Sequence, residues 1–315
     1  MSWLVHAIQV VVVLAVLLSL PVGLIWLERR LLAGFQERYG PNRVGPQGLL
    51  QPIADVIKLL WKEDWIPPFA DRYVFVLAPA IVVVTVLLAF AVIPFAPAIG
   101  ISDLNIGLLF FLGMASLGVY SIVLAGWASN SKYSLVGGMR AAAQMISYEL
   151  PMGLSLVGVA MLSGSFRLGE IVEAQRHLWF CVSQPLALII FLTAALAEAR
   201  RIPFDLPEAD SELVQGYHTE YSSMKFGLFF LGEYLDVVLI GCMATVLFLG
   251  GWRGPWLPPA LWFALKMGAV MVLFIWARSI LPRLRFDQLM NFGWKVLLPL
   301  SLLNVLVTGL VALGA

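Results

Sequence analysis

Three observations predict an all-α, polytopic membrane protein with eight transmembrane helices plus an amphipathic helix in the first cytoplasmic loop. The 315 residues are 61% hydrophobic and only 12% charged, against roughly 25% charge in a soluble domain. The mean hydropathy is +0.90, so long apolar runs dominate the chain. Sixteen of the twenty Lys and Arg fall in four connections between those runs, which is the asymmetry that orients helices in a bilayer.

The apolar runs lie near 3–27, 73–95, 104–128, 141–163, 178–198, 226–249, 256–277 and 296–313, and each approaches or exceeds the ~20 residues a spanning helix needs. Lipid offers no water to backbone N–H and C=O groups, so these runs must be helical. The first, from Trp3 to Leu27, is too long for the apolar core of a cleavable signal, and no small-residue cleavage site follows it, so it is expected to remain as a span. The connection 28–72 is the longest. Within it Tyr39–Pro46 is too rich in Gly and Pro for a helix. An amphipathic helix is predicted over 48–62, with Asp55, Lys58 and Lys62 on one face and Ile53, Ile57 and Leu60 on the other. It fits a helix lying in the headgroups, or equally the lining of a cavity open to the membrane.

The remaining elements follow in order. Segments two and three carry no charge, and the short connection 129–140 holds Lys132 and Arg140. Glu149 interrupts segment four, and Glu198 ends segment five. The loop 199–225 is acidic. Segment six contains Glu233 and Asp236, and segment seven contains Lys266. Connection 278–295 adds Arg278, Arg283, Arg285 and Lys295 before the last span. The basic connections are predicted to face the cytoplasm, with both termini outside and only Arg167, Arg176 and Arg253 on the outer side. Residues 1–315 read as a single integral-membrane domain. The sequence shows no internal repeat, which disfavours an inverted-repeat secondary transporter.

Composition and motifs exclude several classes. A net charge of +1 gives no footing for nucleic acid. Cys181 and Cys242 are the only cysteines, too few for a disulfide framework or a thiolate cluster. His6, His177 and His218 are not spaced to hold a haem between helices, and no nucleotide-binding loop is present. No metal site, redox centre or nucleotide site is expected in this chain, so any electrons come from a partner.

The acids carry the chemistry. Glu198, Asp205, Glu208, Asp210, Glu212, Glu220 and Glu233 fall within 198–234, at a membrane edge where such groups are costly and usually functional. Carboxyls there can accept and release protons. For Lys266 and Asp236 the bland reading is an ion pair that holds two helices together. For the loop, a helix starting at 207–216 would put Glu208 and Glu212 at i and i+4 beside Asp205, while a solvated face is the alternative. Arg200 and Arg201 can pair with these acids or hold a polar head group. Glu28-Arg29-Arg30 reads either as ordinary positive-inside anchoring or as a device to orient an amphipathic ligand.

Several stretches resemble one family. They are Glu-Arg-Arg at 28–30, Arg-Tyr-Gly-Pro-Asn-Arg-Val-Gly-Pro at 38–46, Gly-Leu-Leu-Gln-Pro-Ile-Ala-Asp-Val-Ile-Lys at 48–58, Ser-Asn-Ser-Lys-Tyr-Ser-Leu at 129–135, Arg-Ala-Ala-Ala-Gln-Met-Ile-Ser-Tyr-Glu-Leu-Pro at 140–151, and all of 198–234. In order and spacing they are similar to the H-subunit (subunit 1) family of respiratory complex I, the proton-pumping NADH:quinone oxidoreductase. The resemblance implies a bacterial inner-membrane subunit that forms the membrane part of a quinone chamber. Its substrate would be quinone (ubiquinone or menaquinone), with FMN, the iron–sulfur clusters and the NADH site in partner subunits.

Carried over, the resemblance implies an acidic path of Asp205, Glu208, Glu212, Glu149, Glu198 and Glu233. It implies a chamber and entrance using Arg29, Arg38, Asp55, Arg201 and Phe204. The partners implied are cluster-bearing peripheral-arm subunits and antiporter-like membrane subunits. Two departures stand out. Arg200 adds a positive charge where many relatives have Asn, which is expected to alter the chamber, and Asp236 and Lys266 match no family position and are read as structural. Relatives also serve membrane-bound hydrogenases, although Gly-Tyr-His-Thr-Glu-Tyr-Ser-Ser-Met-Lys-Phe at 216–226 is closer to the quinone-reducing enzymes.

Overall fold

A computed structural model describes residues 2–97, 99–206 and 210–314. The helices, in chain order, are α1 (Ser2–Phe35), α2 (Gln51–Trp61), α3 (Arg72–Phe90), α4 (Gly107–Ala128), α5 (Lys132–Ser163), α6 (Leu168–Ala174), α7 (Phe180–Ser183), α8 (Pro185–Glu198), α9 (Asp210–Leu213), α10 (Ser223–Phe248), α11 (Pro259–Ile280), α12 (Phe286–Phe292) and α13 (Leu298–Gly314). No strand occurs among the described residues. Seven helical stretches are long and apolar enough to cross a bilayer: α1, α3, α4, α5, α10, α11 and the run from α12 through α13.

The predicted fifth span departs from expectation. Residues 178–198 form a short turn, α7, and then α8, whose 14 residues reach only about 21 Å against a ~30 Å hydrocarbon core. Pro185 is the cause. It has no N–H to give the helix, and it forces the preceding residue out of helical geometry, so Gln184 sits at φ −131°, ψ 55°. The break is held by side chains instead: Gln184 Nε2 donates to Thr308 Oγ1 at 2.8 Å, and Asn304 Nδ2 donates to Gln184 Oε1 at 3.2 Å.

α1 runs well past the predicted edge at Leu27. Nothing in Glu28-Arg29-Arg30 stops a helix; the charges mark where polar surroundings begin, not where hydrogen bonding ends. The predicted amphipathic helix is present as α2, preceded by a 3-10 turn at Pro46–Gly48. Gly48 has φ +76°, and a Cβ there would lie 2.1 Å from the carbonyl oxygen of Pro41, so only glycine fits. Ile53, Ile57, Leu60 and Trp61 remain exposed. The far side of α2 is fastened to the start of α10: Ser223 Oγ donates to the Leu59 carbonyl at 2.9 Å, and Lys225 Nζ meets Asp64 Oδ1 at 2.5 Å.

α10 is the axis of the bundle. In its most apolar window 83% of residues are buried, against 50% or less for the other spans. It packs on α1, α2, α3, α6, α8 and α11, while α5 packs on α4, α8 and α13. The acidic loop lies across α5. A Cβ on Gly137 would come within 2.7 Å of Gly216 Cα and 2.8 Å of Tyr217 N, so two glycines bring the backbones into contact. The helix expected over 207–216 is seen only as the four residues of α9, followed by turns and a 3-10 turn at Gly216–His218.

Candidate functional site

Arg201, just beyond α8, forms the hub. Its Nη1 lies 3.7 Å from Glu28 Oε1 on α1 and its Nη2 lies 3.9 Å from Glu233 Oε2 on α10. The guanidinium carbon stands 4.3 Å from the centre of the Tyr234 ring, a cation–π geometry. Arg278, in the last turn of α11, donates to Glu28 Oε1. Arg201, Glu28 and Glu233 are all buried. Two arginines therefore face two glutamates, and a buried charge cluster is tolerable only when compensated in this way. Glu28, Arg201, Tyr234 and Arg278 border a cavity of about 20 Å³, room for a single water.

Asp205 lies on the loop beside this hub, with Arg283 donating to its backbone carbonyl. Burial pushes its carboxyl up to about 6; Arg283 opposes the shift, the negative charge of Glu233 adds to it, and Arg278 and Arg201 oppose it. The preceding residue fixes the loop: Gln144 Nε2, on α5, donates to the carbonyls of Phe204 at 2.7 Å and Ala197 at 2.8 Å. The Phe204 ring is buried edge-on against Tyr148, with centroids 5.3 Å apart. Glu212 is exposed and pairs with Arg140 at 2.6 Å. Glu208 lies outside the described residues.

Deeper in the bundle, Glu198 at the end of α8 is buried, and one of its carboxylate oxygens has no hydrogen-bond partner among the described residues. Its charged neighbours are Glu149, Asp236 and Arg200. Glu149 accepts a hydrogen bond from Ser116 of α4. Glu233 and Asp236 stand one turn apart on α10. A cavity of about 30 Å³, enough for one or two waters, is bordered by Glu198, Arg200 and Asp236.

The proposed entrance residues fall into separate groups. Arg29 Nη1 meets Asp55 Oδ2 at 2.6 Å, with Lys58 3.7 Å from the other oxygen, so this set ties α1 to α2. Partial burial pushes the Asp55 carboxyl up, but the hydrogen bond and charge of Arg29, joined by Gln51 and Lys58, outweigh it and hold the group below its usual range. Arg38 is exposed and donates to Gln36 at 2.8 Å, apart from both.

A family model described as NADH dehydrogenase matches residues 8–309. The chain is 57% identical over 314 residues to the NADH-quinone oxidoreductase H subunit 1 of Geobacter metallireducens, covering 97% of this chain and 95% of that protein. It is 58% identical over 307 residues to the NADH-quinone oxidoreductase H subunit of Methylococcus capsulatus, covering 96% and 97%. The chain belongs to the H-subunit family of NADH-quinone oxidoreductases.

Three features of this NADH-quinone oxidoreductase subunit differ from the sequence reading. Lys266 does not pair with Asp236. Its Nζ donates to the carbonyls of Leu249, Gly251 and Arg253 at 2.6, 3.0 and 2.6 Å, and lies 4.2 Å from the Trp179 ring centre. Asp236 faces Arg200 instead, at 3.6 Å. Arg200 does not border the cavity beside Arg201; it turns to Tyr217 and Asp236. The third feature is the presence of Glu28, Tyr234 and Arg278 in the site, where the sequence reading does not put them. A signal exists, since a carboxylate, a phenol and a guanidinium all sit in otherwise apolar helices, but their meeting depends on helix rotation that spacing alone does not set.

Proposed function

We propose that this chain forms the membrane part of a quinone site and couples quinone reduction to proton translocation. The observation that carries the reading is a run of mostly buried carboxyls, from Asp205 on the loop through Glu233 to Glu198 and Glu149, headed by the Arg201 hub. A lone intramembrane acid is costly, and a connected series with water-sized cavities beside it suits proton transfer. As a subunit of the oxidoreductase, the chain works with other subunits of the complex. In this reading FMN and iron–sulfur clusters in peripheral-arm subunits deliver electrons, and antiporter-like membrane subunits receive the proton signal.

Reduction of ubiquinone or menaquinone to the quinol takes up two electrons and two protons. Arg201 and Asp205 stand at the mouth of the acid series, Arg29 with Asp55 and Arg38 line the approach from lipid, and Phe204 shapes the loop between them. Glu208 and Glu212 extend the series toward the cytoplasm. Charge change at the quinone shifts protons among these acids and then along Glu233, Glu198 and Glu149. The complex sits in the bacterial inner membrane with both termini of this chain outside.

Glu233→Gln and Glu149→Gln test the reading. Each keeps shape but cannot ionise. In assembled complex, quinone reduction and protons moved per electron should fall together, while NADH oxidation with a hydrophilic artificial acceptor persists. Full quinone reduction and full proton yield in both variants would sink it.

A further inference from the structure

Arg200 and Asp236 lie outside the acid series proposed above, yet both border the cavity that Glu198 borders. Arg200 is among the most deeply buried side chains of the protein, 2% exposed. A guanidinium keeps its charge at any physiological pH, and a charge buried this deeply needs a counter-ion. Apolar side chains, among them Phe111, Met145 and Leu239, complete the cavity wall. Two carboxylates share this cavity with one guanidinium, so the identity of the one that balances Arg200 decides what the other can do.

The geometry answers this. Arg200 Nη1 donates to Tyr217 Oη at 2.9 Å, which aims the other end of the guanidinium at α10. There Nη2 lies 3.6 Å from Asp236 Oδ2. Glu198 precedes Arg200 by two residues on the same stretch of chain, with Glu149 facing it from α5 and Asp236 from α10. We propose that Asp236 is a positioning residue that balances the charge of Arg200, so that Glu198 is left able to take up and release a proton instead of serving as the counter-ion. A carrier must visit both protonation states. A carboxylate held as the partner of a fixed buried cation visits only one. The proposal rests on the reading of Glu198 as a carrier in the acid series.

The test is a double-mutant cycle in the assembled complex. Asp236→Asn unmasks Arg200 toward Glu198. It should lower kcat for quinone reduction about tenfold, the scale of one unbalanced charge in a poorly screened site, with the KM for quinone and the NADH–artificial acceptor activity unchanged. Arg200→Asn combined with Asp236→Asn removes both charges and should return kcat to within about twofold of the unmodified protein, and Asp236→Glu should stay near normal. Turnover is normalised to assembled complex by the artificial-acceptor activity, and Asp236→Gln serves if Asp236→Asn assembles poorly.

A double variant as slow as Asp236→Asn, with Asp236→Glu active, would make Asp236 a carrier in its own right and overturn the positioning role. Normal kcat per assembled complex in Asp236→Asn and Asp236→Gln would overturn it too, leaving a structural ion pair. Glu198→Gln separates the two levels. If it is impaired while Asp236→Asn is normal, only the positioning role fails; if it keeps full turnover and proton yield, the carrier reading of Glu198 fails and the positioning role with it.

Discussion

Arg201→Met removes the hub of the site while keeping the length and apolar stem of the side chain. In the structure the guanidinium serves Glu28 at 3.7 Å and Glu233 at 3.9 Å. At an effective dielectric near 20, a unit charge pair about 4 Å apart attracts by about 4 kcal/mol. Glu28 keeps Arg278 as a second partner, so Glu233 bears most of the loss. An attraction of about 4 kcal/mol is close to three orders of magnitude in an equilibrium. Water entering the adjoining cavity offsets part of it, leaving an expected fall of about tenfold or more in quinone turnover. Arg201→Lys should recover some of that fall, because it restores a charge without the planar fork. The assay compares NADH:quinone activity with NADH oxidation by a hydrophilic artificial acceptor in the same membranes. The acceptor rate should stay normal. Quinone kinetics unchanged in Arg201→Met would mean that the hub has no part in the chemistry and that Arg201 only anchors the loop.

The pH profile of quinone reduction should show an acid limb near the raised Asp205 value of about 6, lost in Asp205→Asn. The linked stability has a definite sign: the folded state binds this proton more tightly than the unfolded chain, so the contribution of Asp205 to stability falls as pH rises from 3.8 through about 6, and thermal denaturation of Asp205→Asn should lack that decline. Lys266→Met strands three backbone carbonyls and should destabilise the outer loop by on the order of 3 kcal/mol; complex abundance should drop while turnover per assembled complex holds. Cysteines placed at the exposed Asn42 and Gln215, in a Cys181→Ser background, should react with an impermeant thiol reagent only when the cytoplasmic face is open, and labelling from outside in sealed cells would reverse the proposed orientation.

The apolar helices are legible because lipid imposes one rule, a run of apolar residues long enough to cross. The same rule misreads 178–198: apolarity is continuous through Pro185, but the hydrogen-bond ladder is not. It also ends the first helix too soon, because Glu28 looks like a boundary when it is a buried partner of Arg278. The acids of 198–234 are legible as a group, since carboxyls in apolar segments are rare whatever the fold. Their partners are not. Lys266 and Asp236 lie in neighbouring spans with opposite charge, and only the structure shows Lys266 turned to the outer loop and Asp236 turned to Arg200. Pairing across helices depends on rotation and on axial height, and neither is written in one helix's own pattern.

The contact between Gly137 and Gly216 has a mechanical meaning. With no side chain between the two backbones there is nothing soft to absorb displacement, so the acidic loop cannot shift toward α5 without pushing it. α5 is 32 residues long, a rod of about 48 Å, and Pro151 lies within it, two residues beyond Glu149. A proline inside a helix removes one rung of the ladder and gives the rod a joint. Force applied at the loop end would therefore flex the rod beside the very carboxyl that Ser116 holds, so a push from the loop and a charge from the quinone would arrive at the same residue.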